Sequence, residues 1–130
     1  MTTPALHFVP PRGWMNDPNG LVWHDGWWHL FFQHHPHSLQ WGPMHWGHAR
    51  SRNLVAWEHL PIALAPGPDG TAFSGSAVVD LEDSAGFGPG ALVATYTQDA
   101  PGSQVQALAG SVDGGITWPP YPANPVVAQP

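Results

Sequence analysis

Apolar and aromatic positions along this chain fall in short runs, each closed by Gly, Pro, Asn or Asp, which is the pattern of strands joined by tight turns. Four such runs come first: Leu21 to Trp23, Trp27 to Gln33, His45 to Ser51 and Trp57 to Leu60. Asp25-Gly26, between the first two, is a two-residue hairpin signal. A second set repeats the rhythm at Gly75 to Asp80, Ala91 to Thr97, Gln104 to Ser111 and from Trp118 onward. Eight Trp, five Phe, two Tyr, fifteen Gly and sixteen Pro leave little material for long helices. The expected class is all-β, with a unit of four strands occurring twice.

The two units also end alike. Ser51-Arg52-Asn53-Leu54-Val55-Ala56-Trp57 and Ser111-Val112-Asp113-Gly114-Gly115-Ile116-Thr117-Trp118 share the order Ser, Asn or Asp, then Trp, and prolines follow each. A period near sixty residues with four strands per unit predicts propeller blades, small antiparallel sheets that pack face to face. The second copy resembles the Asp-box of sialidases and other propellers. In that motif Ser and Asp brace a turn and Trp packs between strands, so Ser111, Asp113 and Trp118 are read as structural.

Composition narrows the partners. The 130 residues make one ordinary domain with a formal charge of −6, no lysine and only Arg12, Arg50 and Arg52 as fixed cations. No basic patch can be assembled, which argues against nucleic acid and anionic membranes as partners. The absence of cysteine excludes disulfides and thiolate chemistry. No apolar run reaches ~18 residues and the first eleven residues lack signal-peptide character, so the chain as written is expected to be cytoplasmic. His34, His35 and His37, with His45 and His48 nearby, invite a metal site. Alternation along a strand sends His34 and His35 to opposite faces, however, and cysteine help is lacking. No metal and no cofactor are expected. His45 and His48 are read as hydrogen-bonded braces around the candidate binding site, and the other histidines as solubilising substitutes for lysine.

Candidate chemistry centres on Trp14-Met15-Asn16-Asp17-Pro18-Asn19-Gly20, where one carboxylate stands among turn-forming residues and aromatics. Pro18 biases Asp17 away from the helical region, so a rigid turn bearing an acid is expected.

That stretch, with Phe32-Gln33, Trp41-Gly42-Pro43-Met44-His45-Trp46-Gly47-His48-Ala49 and Phe73-Ser74-Gly75-Ser76-Ala77, resembles the N-terminal part of the retaining β-fructofuranosidases, the invertase, exo-inulinase and levanase group of glycoside hydrolases. The blocks occur in that family's order from His7 to about Pro125. The resemblance implies the first two four-stranded blades of a five-bladed β-propeller, one at about 14–62 and the other at about 72–125. It implies Asp17 as nucleophile toward C2 of a terminal β-linked fructosyl unit, and Asn16, Gln33, Trp41, Phe73 and Ser74 as residues lining the fructose subsite. The implied partner is a small-molecule or oligosaccharide substrate: sucrose, or an inulin- or levan-type fructan. The blocks at Trp41 and Asp69 to Asp80 look closer to microbial levanases and exo-inulinases than to plant invertases.

Half of the implied mechanism is missing. A retaining glycosidase needs a second carboxyl group roughly 5 to 5.5 Å from the nucleophile. The family places it in a Glu-Cys motif and steadies fructose with an Arg-Asp-Pro motif; this chain has neither. Glu58 and Glu82, its only glutamates, match no catalytic position. The expectation is therefore a partial propeller, inactive alone, with a non-catalytic fructose-binding module as the alternative. A sialidase-like reading fails for want of an arginine cluster.

Overall fold

The computed structural model describes residues 6–129, and every regular element among them is a strand. β1 (Trp14–His24), β2 (Trp27–His35), β3 (His45–Ser51) and β4 (Glu58–Leu64) form one antiparallel sheet in chain order. β5 (Thr71–Asp80), β6 (Ala91–Ala100) and β7 (Ser103–Ser111) form a second. The β1–β2 connection is the expected tight turn, with Asp25 and Gly26 both at positive φ, 49° and 83°.

The second sheet differs from expectation in its outermost position, where a fourth strand was predicted from Trp118. Residues 119–127 lie alongside β7 but pair with it only at isolated bridges, Ala109 to Pro120 and Gln106 to Val127, with the Asn124 side chain bonding the Leu108 backbone between them. Pro119, Pro120, Pro122 and Pro125 have no N–H to donate, so a continuous ladder cannot form there.

The core lies between the two sheets. Phe31, Trp46 and Leu64 of the first meet Ala72, Leu92, Ala94, Tyr96, Ala107 and Ala109 of the second, with Trp118 from the segment after β7. The chain's aromatic rings interlock across this seam: Trp118 stands edge-on to Phe31 at 5.3 Å, and Tyr96 meets Trp46 at 6.1 Å. Gly20 permits a close approach of β1 to β5. A Cβ there would stand 2.9 Å from the Phe31 ring and 3.1 Å from Ala77, and the backbone sits at φ 55°.

The similar unit ends fold into similar turns. Ser111 Oγ donates to Asp113 Oδ1 at 2.8 Å, and the Asp113 carboxylate accepts from the backbone of Ile116 and Thr117 and from Thr117 Oγ1. In the first sheet Asn53 Oδ1 takes the same place, accepting from Val55 N and Ala56 N at 2.9 Å. Asp113 is held well below the usual carboxylate range, at about 2, chiefly by its bonds from Thr117.

His29 and His48 are buried against this seam, not at the sugar pocket where His48 was expected. Their Nδ1 and Nε2 atoms lie 2.9 Å apart, one ring donating to the other, and His48 stacks on Phe31 at 4.2 Å. Burial pushes His29 down to about 4 and His48 to about 3, with His24 adding to the first and His29 to the second.

Candidate active site

The stretch read as a turn around Asp17 is part of a strand. β1 begins at Trp14, and its pairing with β2 steps from Met15 opposite His34 to Pro18 opposite Phe32. Asn16 and Asp17 together face the single residue Gln33, a β-bulge that throws both side chains out of the regular alternation. Pro18 has no N–H to give the ladder, which favours the irregularity at this point. The innermost strand of the second sheet does the same: pairing steps from Ala72 opposite Gln98 to Gly75 opposite Tyr96, leaving Phe73 and Ser74 facing Thr97.

The first sheet secures the second bulge directly. Trp46 Nε1 donates to Phe73 O at 2.8 Å, Gln33 Nε2 donates to Ala72 O at 3.1 Å, and Ala72 N donates to Met44 O at 3.0 Å. The two bulges therefore stand side by side at one end of the sheets.

A cavity of about 300 Å³ opens between them, and all six sequence-predicted residues line it: Asn16, Asp17, Gln33, Trp41, Phe73 and Ser74. Met44, Thr97 and Gln104 complete the lining and were not foreseen. For Thr97 the available signal was the internal repeat, since Thr97 stands to the Phe73-Ser74 bulge as Gln33 stands to Asn16-Asp17.

The chemistry of the lining follows from its hydrogen bonds. Trp14 Nε1 donates to Asn16 Oδ1 at 2.8 Å, which leaves the Asn16 amide N–H groups as donors. Gln33 uses an N–H on Ala72 O and keeps its oxygen as an acceptor. Trp41 and Phe73 meet nearly edge to face at 6.4 Å and supply apolar walls. One carboxylate, three amides, the hydroxyls of Ser74 and Thr97 and two aromatic rings suit a polyhydroxylated ring of sugar size. Asn19 of the same stretch turns inward instead and is buried, with its amide nitrogen unpaired.

Asp17 is the only acid in the lining. Asp99 is held one residue back by Gln104, whose Nε2 donates to it at 2.9 Å. Glu58 begins the outermost strand of the first sheet and pairs with Arg50 at 3.2 Å, and Glu82 lies in the β5–β6 connection. Among the described residues no three His, Asp or Glu side chains converge to hold a metal ion.

The other histidines divide differently from the sequence reading. His45 is a brace as expected, its Nδ1 3.0 Å from Pro43 O, but His34 is buried, not solubilising, with Nδ1 2.8 Å from Trp14 O. Both are shifted below the ordinary histidine value, chiefly by burial.

Comparison with known proteins bears on this geometry. The family model for the N-terminal domain of glycosyl hydrolases family 32 matches residues 7–130. The chain is 58% identical over 130 residues to a levanase of Bacillus subtilis (strain 168), covering 98% of this chain and 19% of that protein. It is 47% identical over 136 residues to invertase 2 of Saccharomyces cerevisiae, covering 96% and 25%. Among solved structures, a β-fructofuranosidase from Schwanniomyces occidentalis complexed with fructosyl-erythritol superposes with a TM-score of 0.91 at 43% identity, covering 97% of this chain and 27% of that one. An exo-inulinase from Aspergillus awamori gives 0.90 at 44% identity, covering 96% and 28%. The two sheets are propeller blades, and the chain spans about a fifth to just over a quarter of the relatives it matches.

Proposed function

Because this chain belongs to family 32 of the glycosyl hydrolases, we propose that it supplies the nucleophile-bearing part of an active site that releases terminal β-D-fructofuranosyl units from sucrose or fructans. The observation that carries this reading is the convergence of Asn16, Asp17, Gln33, Trp41, Phe73 and Ser74 on one cavity. In the proposed reaction a carboxylate oxygen of Asp17 attacks C2 of the fructosyl ring. The bond from C2 to the leaving oxygen breaks, and that oxygen takes a proton from an acid contributed by further blades. Water, deprotonated by the same group, then attacks C2 and frees the Asp17 carboxylate, so configuration is retained. Asn16, Gln33 and Ser74 hold ring hydroxyls, while Trp41 and Phe73 close the apolar faces.

A graft tests it: residues 1–130 replace the matching portion of the Bacillus subtilis levanase. The graft is expected to release fructose from levan, inulin or sucrose, and Asp17→Asn is expected to cut the rate by more than about 10³-fold with folding intact. Full activity in that variant would remove Asp17 from the nucleophile role. The chain alone is expected to release no fructose. The alternative, a fructose-binding module without catalysis, is favoured by the single carboxylate in the lining; saturable fructose binding to the chain, with no activity in the graft, would select it.

A further inference from the structure

Trp41 is 58% exposed, so burial does not decide where its ring stands. The backbone on either side of it does. His35 Nδ1 lies 3.1 Å from Gln40 O, just before Trp41, and His45 Nδ1 lies 3.0 Å from Pro43 O, just after. Ser38 Oγ accepts from Gln40 N at 3.0 Å and tightens the same turn. The Nδ1–Cε1 side of the His35 ring also lies against Gly42, where an added Cβ would clash with it. His37 fills the space between, 6.1 Å from His35 and 5.9 Å from His45.

The part of the lining that carries Asn16 and Asp17 is tied the same way. His34 Nδ1 bonds Trp14 O at 2.8 Å, and the Trp14 indole in turn bonds Asn16, next to Asp17. A carbonyl oxygen can only accept, so in each of the three bonds Nδ1 must carry the proton.

We propose that His34, His35 and His45 are positioning residues of the sugar cavity: as Nδ1–H tautomers they clamp the backbone that presents Asn16 and Asp17 on one wall and Trp41 on the other. The proposal rests on the fructosidase reading for its kinetic consequences, but not for the bracing itself. His35 and His45 act on a wall that grips the sugar before and during reaction, so their loss weakens binding. His34 acts on the segment carrying the reacting carboxylate, so its loss slows the chemical step.

Two measurements test this. The first is the ring-nitrogen NMR spectrum of the 130-residue chain near pH 7.5, where His34, His35 and His45 are expected as Nδ1–H tautomers; protons on Nε2 at His35 and His45 would overturn the proposal. The second is sucrose kinetics in the levanase graft. His35→Ala and His45→Ala are expected to raise KM roughly tenfold with kcat changed less than about threefold, and His34→Ala to lower kcat roughly tenfold. Asn places an N–H near the Nδ1 position and should restore most of each loss, whereas Gln, which places it farther out, should not. Losses spread equally over kcat and KM at all three positions, with no rescue by Asn, would reduce the histidines to general packing and overturn the proposal. A graft inactive before any histidine is changed would refute the fructosidase reading and the kinetic claim together, while the NMR tautomers would still decide the bracing.

Discussion

Lowering the pH from 7 to 5 should destabilise the chain through the His29–His48 pair. In the unfolded chain both rings titrate near the ordinary value of ~6.5, whereas in the fold burial holds them at about 4 and about 3. Groups whose native values are depressed contribute stability above the unfolded value and lose it as pH falls, because only the unfolded state takes up the proton. The loss begins below ~pH 6.5 and is complete only near the native values. Between pH 7 and pH 5 each ring accounts for ~1.8 kcal/mol, so the pair accounts for about 4 kcal/mol. For a domain of this size that is on the order of 15 °C in midpoint. His34, His45 and His59 are shifted in the same direction and steepen the effect. Asp80 and Asp113 do not contribute in this window, since carboxylates take up protons at lower pH. Thermal unfolding followed by tryptophan fluorescence at pH 5, 6, 7 and 8 measures the slope, and a double variant, His29→Leu with His48→Phe, should lose most of it. A midpoint that stays flat between pH 7 and 5, or a slope undiminished in the double variant, would refute the reasoning.

Three other outcomes are expected. Asp113→Ala should destabilise the chain by about 1–2 kcal/mol in urea unfolding, since several backbone and hydroxyl donors of its turn lose their acceptor, while Asp113→Asn should cost less than half as much, because Asn53 already serves the equivalent turn with an amide. Gly20→Ala should cost about 1–3 kcal/mol in the same assay, from positive φ and the close contact with Phe31 together. Trp46→Phe removes the indole bond to Phe73 O; it should cost about 1–2 kcal/mol in unfolding and raise KM for sucrose in the levanase graft, and an unchanged KM would show that the second bulge holds itself.

Much of this protein could be read from its residues. Alternation and turn chemistry are local, so the strand centres, the Asp25-Gly26 turn and the two similar unit ends were visible directly. Proline was legible only in part: it marked the ends of the units, but its effect on the ladder beyond Trp118, where a strand was expected and bridges formed, depends on which N–H groups a neighbouring strand would have needed. The Asp17 stretch was read as a rigid turn because its turn-forming residues serve equally well in a bulge, and only the partner strand decides between the two. His48 was misplaced for a related reason, since a histidine's role depends on which atoms of a distant strand meet its ring.

By itself, then, the sequence determined the all-β class and the two units, because strand period and turn preference travel with each residue, while the six residues of the candidate site were legible only through the family resemblance of the motifs that carry them. Only the tertiary structure decided that Asn16-Asp17 and Phe73-Ser74 are matching bulges set side by side, that Thr97 and Gln104 join the lining, and that histidine rings hold the walls. These are relations between residues far apart in the chain. They exist only once Phe31, Trp46, Tyr96 and Trp118 have packed the two sheets together and fixed their register.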